Sequence, residues 1–383
     1  MKRKKEKGKN EEAPIFLLPF SFPSSHDPSL LAGAHLMTGR EKTEAAFEPG
    51  GTPEFAAAIC YEGIFARDHW DALTSHPWWT IYSSDIDAQV ALNREIIDAI
   101  GQDWFVLPQW RSRQARESMR IVEFDDGVFI IDDSARRMAR IERPRIGGWW
   151  SSDSSPGAPP SLQSIDDIDR AVPASDIADR AAFRALGCCD LADALLAEFG
   201  RERFPVTSVA SPLWPCHGLW GFEGMMTTVA ERPELVEHAC DRFLAQTCNY
   251  LPLAAELGAR GIWIEECMTD MVSPDAFARL NLPRLQRLTA EIRSLGMRSI
   301  YCYCGDPSDR WDLLLSAGAD ALSLEESKKG FRIDIADVVD RVQGRCAVLG
   351  NLDAISLLPH ASDSERHAGD AGGPGEEVQR DRA

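Results

Sequence analysis

The sequence has no uninterrupted apolar run near the roughly 18 residues that a membrane span needs, so nothing in it reads as a transmembrane helix. Positive charge is in short supply. Lys and Arg number 41 against 60 Asp and Glu, a net charge of −19, which excludes the broad basic footprint of a nucleic-acid surface. Ten cysteines in 383 residues, without regular spacing, are too sparse for a disulfide scaffold. The expectation is reduced thiols in a cytoplasmic protein, most of them packed as small hydrophobes. A glycine-rich turn after the first strand is missing, and so is a phosphate loop, which argues against a dinucleotide fold. What is present is 44% hydrophobic and 8% aromatic residues, enough for a sizeable core, in a length that suits one large α/β domain or two ordinary ones.

The ends differ from the middle. A basic start (Lys2, Arg3, Lys4, Lys5, Lys7, Lys9) precedes an apolar patch at Ala13–Phe22 and mimics a signal peptide. Pro14, Pro19 and Pro23 interrupt that patch and no small-residue cleavage site follows, so 1–36 is expected to be a disordered basic extension. From Ala361 to Ala383 the sole branched aliphatic residue is Val378, so 361–383 is expected to be disordered; the abrupt change near His360 resembles a truncation or frameshift. The folded domain is expected over 37–360.

Between the ends, short apolar runs closed by polar or glycine residues predict strands at Glu54–Tyr61, Trp104–Gln109, Val206–Ala210, Gly261–Glu266, Arg298–Cys304, Ala321–Glu326 and Ala347–Asn351. Helical patterns fall at Ala88–Ile100, Pro233–Leu257, Pro274–Leu295, Arg310–Ala317 and Asp334–Val342. Pro233 and Pro274 suit a first helical turn, Ser273 an N-cap, and Gly296 a helix stop. An alternating stretch, Met119–Ile141, predicts an antiparallel hairpin turning at Asp125-Asp126-Gly127, and Ser151–Pro160 is a loop before helical character returns over Ser161–Gly200. Strand–helix units with short loops predict an α/β fold of the (β/α)8 TIM-barrel type. Seven strands are countable, so the barrel is expected to lack its last strand–helix unit.

Barrels of this kind place reactive groups at the carboxyl ends of their strands. Those ends here carry Glu265, Glu266, Cys267, Cys302, Cys304, Glu325, Glu326, Asn351 and Asp353, with His217 after the third strand. Carboxylates and thiols thus converge on one mouth, more polarity than a structural barrel end requires. Cys302 and Cys304 are two apart and project to one side of their strand, Tyr301 and Tyr303 to the other. Two thiols at the mouth, joined by Cys267 from the neighbouring strand, are a candidate zinc set; zinc keeps a thiol deprotonated near neutral pH. Blander roles compete. The cysteines suit small buried hydrophobes, Glu325-Glu326 before Lys328-Lys329 suits a solvated charge pair, Asp353 suits an Asx turn, and His217 suits a hydrogen-bonded structural histidine. Trp78-Trp79 and Trp149-Trp150 suit core packing or the cover of an apolar ligand.

The stretch Gly258–Asp353 resembles the uroporphyrinogen decarboxylase superfamily. The likeness rests on Gly261-Ile262-Trp263-Ile264-Glu265-Glu266, on Ser273-Pro274 with the helix through Pro283, on Cys304-Gly305, on Ala317-Gly318-Ala319-Asp320-Ala321-Leu322 and on Gly350-Asn351-Leu352-Asp353. Met37-Thr38-Gly39-Arg40-Glu41 and Gly221-Phe222-Glu223 add to it. The resemblance implies a (β/α) barrel and one of two activities. The first is cofactor-free decarboxylation of a tetrapyrrole, which asks for an Arg-rich loop after the first strand and an Asp after the second. Here those ends read Cys60-Tyr61-Glu62-Gly63, with Arg67 nearby, and Leu107-Pro108-Gln109-Trp110, so both matches fail. The second is methyl transfer from a corrinoid to a thiol, where family members hold zinc through His-x-Cys and a later Cys. Cys302-Tyr303-Cys304 falls where His-x-Cys sits, with Cys302 in place of the histidine.

The resulting expectation is a methyltransferase-like barrel enzyme. Glu265, Glu326 and Asp353 are its catalytic candidates; His217, Tyr303 and Asn351 are candidates for substrate binding; Cys267, Cys302 and Cys304 are candidates for zinc. A corrinoid, alone or on a corrinoid protein, would be the methyl donor. The alternatives are a decarboxylase with no cofactor acting on a tetrapyrrole, and an inactive or tetrapyrrole-binding remnant. Neither nucleic acid nor membrane is an expected partner.

Overall fold

A computed structural model of the chain describes residues 36–52, 54–108, 111–146, 162–175, 179–325 and 330–351. The expected disordered ends and the loop at 151–160 fall outside these residues, apart from Leu36.

Among the described residues nine strands form two sheets. The larger contains β1 (Trp104–Val106), β5 (Phe204–Ala210), β6 (Gly261–Cys267), β7 (Arg298–Cys304), β8 (Ala321–Leu324) and β9 (Ala347–Leu349), all parallel and in chain order. Each β5–β9 connection is a helical crossover, as parallel neighbours require. This is the half-barrel of an α/β barrel-type fold. The smaller sheet is an antiparallel meander of β2 (Met119–Phe124), β3 (Gly127–Asp132) and β4 (Arg137–Ile141). The expected hairpin turns where predicted and gains a third strand, because Arg137–Ile141 continues the alternation.

The strand expected at Glu54–Tyr61 does not form. Its backbone runs beside the start of β1, but side chains take the place of a ladder. Asp103 Oδ2 accepts from Ala57 N at 2.7 Å and Gln102 Oε1 from Ile59 N at 3.3 Å, while Asp103 N donates to Ala57 O. The helix expected at Pro274–Leu295 is two helices, Pro274–Leu280 and Leu282–Ser294, broken at Asn281. Pro283 has no N–H for the carbonyl of Arg279, and the Arg284 guanidinium donates to that oxygen instead. Ser273 caps the first helix through Ala276 N, and Gly296 stops the second at φ +77.

Strand alternation sorts the side chains onto two faces. Ile262, Ile264, Tyr301, Tyr303, Leu322 and Leu324 enter the main core against the helices. Trp104, Phe204, Val206, Trp263, Ile300, Cys302, Cys304 and Ala321 form a second cluster on the concave face, which is the barrel interior. Among the described residues no helix is long and apolar enough to cross a membrane.

Candidate functional site

The concave face has an aromatic floor, where Trp104 and Trp263 meet edge-on at 5.6 Å. Above it, the ends of β6 and β7 set four polar side chains in two facing pairs. Glu265 lies opposite Cys302 and Cys267 opposite Cys304 in the parallel register. Adjacent strands about 4.8 Å apart therefore bring the three sequence-predicted cysteines and Glu265 together on one surface. Cys302 and Cys304 are 5% and 6% exposed, with Sγ atoms 3.8 Å apart, while Cys267 is half-buried. Gly305 follows Cys304 at φ +154, and a Cβ there would stand 2.5 Å from Asp270 Cγ, so the strand end needs a glycine to pass the loop after β6.

Tyr61 completes the cluster from outside the sheet. Its hydroxyl lies 3.3 Å from Cys304 Sγ, at the start of the helix Glu62–Asp68. Contact with Cys304 and burial push the Cys267 and Cys302 thiols well up from their ordinary range. Burial, with the neighbouring thiols, raises Tyr61 as well. Glu265 is raised by burial and by the charge that Cys304 would carry. Cys267, Cys302 and Tyr61 thus hold their protons more firmly, and Glu265 has gained proton affinity beside them.

The zinc expectation can be tested on this geometry. Two thiolates on one tetrahedral zinc, at about 2.3 Å each, stand about 3.8 Å apart, the Cys302–Cys304 separation. That supplies two corners. Among the described residues, no group of three His, Cys, Asp or Glu side chains is arranged to hold a metal ion. The thiols as placed do not make a zinc site.

Three of the other candidates stand elsewhere. Tyr303 is on the helix-packed face, its ring edge-on to Phe277 at 6.4 Å, so strand alternation removes it from the thiol side. Asn351 donates its amide to the carbonyl of Ile333 at 2.8 Å, which ties the end of β9 to the loop after β8. His217 opens the helix His217–Glu231 and stacks on Phe222; burial lowers its pKa, and its Nδ1 is buried without a partner. No hydrogen bond among the described residues joins it to the thiols. Glu326 and Asp353 lie outside the described residues.

Tyr61 has a place at the site that the sequence did not assign, and Glu266, expected at the mouth, lies elsewhere. Tyr61 was legible only as the end of an expected strand at the same mouth. Glu266, between Glu265 and Cys267, faces the helices and is fully buried; Asn281 and the Tyr301 hydroxyl donate to its Oε2. Burial raises its pKa to about 7, against the hydrogen bonds of Ser211, Asn281, Tyr301 and Thr269. Its signals were the two-residue alternation and the Asn281 break in the facing helix.

Residues 149–369 match the family described as uroporphyrinogen decarboxylase (URO-D). A uroporphyrinogen decarboxylase of Xanthomonas axonopodis pv. citri is 25% identical over 138 residues, covering 33% of this chain and 35% of that protein. One from Myxococcus xanthus is 29% identical over 134 residues, covering 33% and 35%. The chain thus matches about a third of the length of these curated relatives. Among solved structures, a methyltransferase from Methanosarcina mazei superposes with a TM-score of 0.54 at 17% identity, over 88% of this chain and 91% of that one. At that identity the likeness is one of fold.

Proposed function

Because the chain belongs to the uroporphyrinogen decarboxylase family, we propose that it is a barrel enzyme of the methyltransferase-like kind, moving a methyl group from a corrinoid to a thiol. One observation carries this reading: Glu265, Cys267, Cys302 and Cys304 share the concave face at the strand ends, with the Tyr61 hydroxyl on Cys304. A bound corrinoid would supply the methyl group and would keep the electron pair of the broken bond. The chain's own part is to hold the sulfur acceptor against the thiol face and to take its proton on Glu265. Proton affinity raised by burial suits that acceptor role. The sulfur lone pair then forms the new carbon–sulfur bond. The apolar floor of Trp104 and Trp263 excludes water from that encounter.

The names of the curated relatives favour a second reading, decarboxylation of a tetrapyrrole. A substrate bearing many carboxylates calls for cations, and among the described residues the polar strand-end side chains set on the concave face are Glu265, Cys267, Cys302 and Cys304. The methyl-transfer reading therefore ranks first. Purified protein given methylcobalamin and a simple alkanethiol is expected to demethylate the corrinoid with formation of the thioether. Carbon dioxide release from uroporphyrinogen, without demethylation, would overturn the proposal in favour of the decarboxylase.

A further inference from the structure

Trp78, half of a tryptophan pair that the proposed activity leaves unused, lines a half-enclosed pocket that shares no residue with the thiol face. The pocket encloses about 270 Å³ between the helices Glu62–Asp68 and Ile86–Ile100 and the segment after β4. Its apolar wall includes Trp70, Trp78, Leu92 and Ile96. Trp78 is held in place by edge-on contacts with Trp79 at 5.6 Å and Tyr82 at 6.4 Å, so that wall is preformed.

The lining carries two guanidiniums, Arg67 and Arg143, and one carboxyl, Glu62, whose pKa burial raises. Arg67 Nε pairs with Asp68 at 2.6 Å, outside the lining. Arg143 pairs with Asp71 through Nη2 at 2.9 Å, and a guanidinium has five donors in a planar fork matched to carboxylate. At about 20 Å³ per non-hydrogen atom, the volume suits a ligand of roughly a dozen atoms.

We propose that this pocket binds a small carboxylic acid with a flat apolar body, of the aryl- or indolylacetate class. The ring lies against Trp78 over Leu92 and Ile96, and the carboxylate meets Arg143. This inference is independent of the activity proposed above.

Calorimetric titration of the full chain with indole-3-acetate, and separately with uncharged indole-3-acetamide, tests it. The acid is expected to bind saturably, with a Kd of about 0.1–1 mM, and about tenfold more tightly than the amide. Arg143→Met is expected to abolish that preference without changing amide binding, and Trp78→Leu to weaken both ligands. Arg143 is partly exposed, so its variant keeps the test open should Trp78→Leu not fold. The proposal is overturned if the acid does not saturate below about 10 mM. It is equally overturned if acid and amide bind alike, or if Arg143→Met binds the acid as the parent does.

Discussion

Cys304 touches more of the polar mouth than any neighbour on its strand: Cys302 at 3.8 Å, the Tyr61 hydroxyl at 3.3 Å, and Cys267 opposite in register. Beside them Glu265 is the one carboxyl of the pair Glu265-Glu266 that faces the concave side. Glu265→Gln is expected to lower methyl transfer about a hundredfold while leaving the melting temperature in place, since an amide cannot accept the proton. Parallel kinetic and melting measurements check both halves. Tyr303 gives the contrasting case. Its buried hydroxyl has no hydrogen-bond partner among the described residues, so Tyr303→Phe is expected to leave activity unchanged and to stabilise the fold by up to about 1–2 kcal/mol, read as a denaturant midpoint. Much of this was legible at the level of single residues. Period-two alternation placed Cys302 and Cys304 on one face and the tyrosines on the other. The same rule argues against Tyr303 as a substrate contact, so that expectation conflicted with the sequence itself. Tyr61 was not legible, because its contact with Cys304 depends on how the segment before the helix Glu62–Asp68 closes over the sheet.

At the scale of elements, Arg310 fastens the loop that follows β6. It is 3% exposed and donates to the carbonyls of Thr269 at 2.8 Å, Val272 at 2.9 Å and Asp270 at 3.3 Å, with its guanidinium over the Phe277 ring. Arg310→Met leaves those carbonyls without their donor, at an expected cost of about 3 kcal/mol. The loop follows Cys267 directly, so the variant is also expected to become sensitive to proteolysis near Met271. Limited digestion with mass mapping checks this, and cleavage confined to other loops would contradict it. Elements with strong local signals were readable: β7 matches its expected bounds, and β5, β6 and the helix Pro233–Glu256 depart by a few residues at most. The failures have local causes. The first strand was replaced by hydrogen bonds from its N–H groups to the side chains of Asp103 and Gln102, and the long helix was broken where Asn281 turns inward to Glu266. Apolar periodicity reports which residues are buried, not whether a backbone N–H meets a carbonyl or a side chain.

Across the whole molecule, Glu266 links folding to pH. Its carboxyl is buried between sheet and helices with a pKa raised from 4.5 to about 7. The folded protein therefore binds this proton more tightly than the unfolded chain, so the contribution is fully present below about pH 4.5 and is lost as pH rises through about 7. The loss is on the order of 3 kcal/mol at most, at about 1.4 kcal/mol per unit. Glu266→Gln is expected to flatten stability across that window, and urea midpoints taken through it would show this. An unchanged slope would place the linkage on another group. The α/β barrel class was legible from the repeated strand–helix units, and the family from the segments around Glu265, Cys304 and Asn351. The outer pocket was not, since it depends on how the helices before β1 pack against Arg143 and Pro144.

The claim on which the account turns is that the concave thiol face carries methyl transfer. The most direct measurement is the rate of methylcobalamin demethylation by an alkanethiol with the parent chain and with Cys304→Ser at matched folded concentration. Turnover by the parent is expected, with a loss of about a hundredfold or more in the variant and the cooperative melt retained. Equal rates in the two proteins, or none in a well-folded parent, would contradict it.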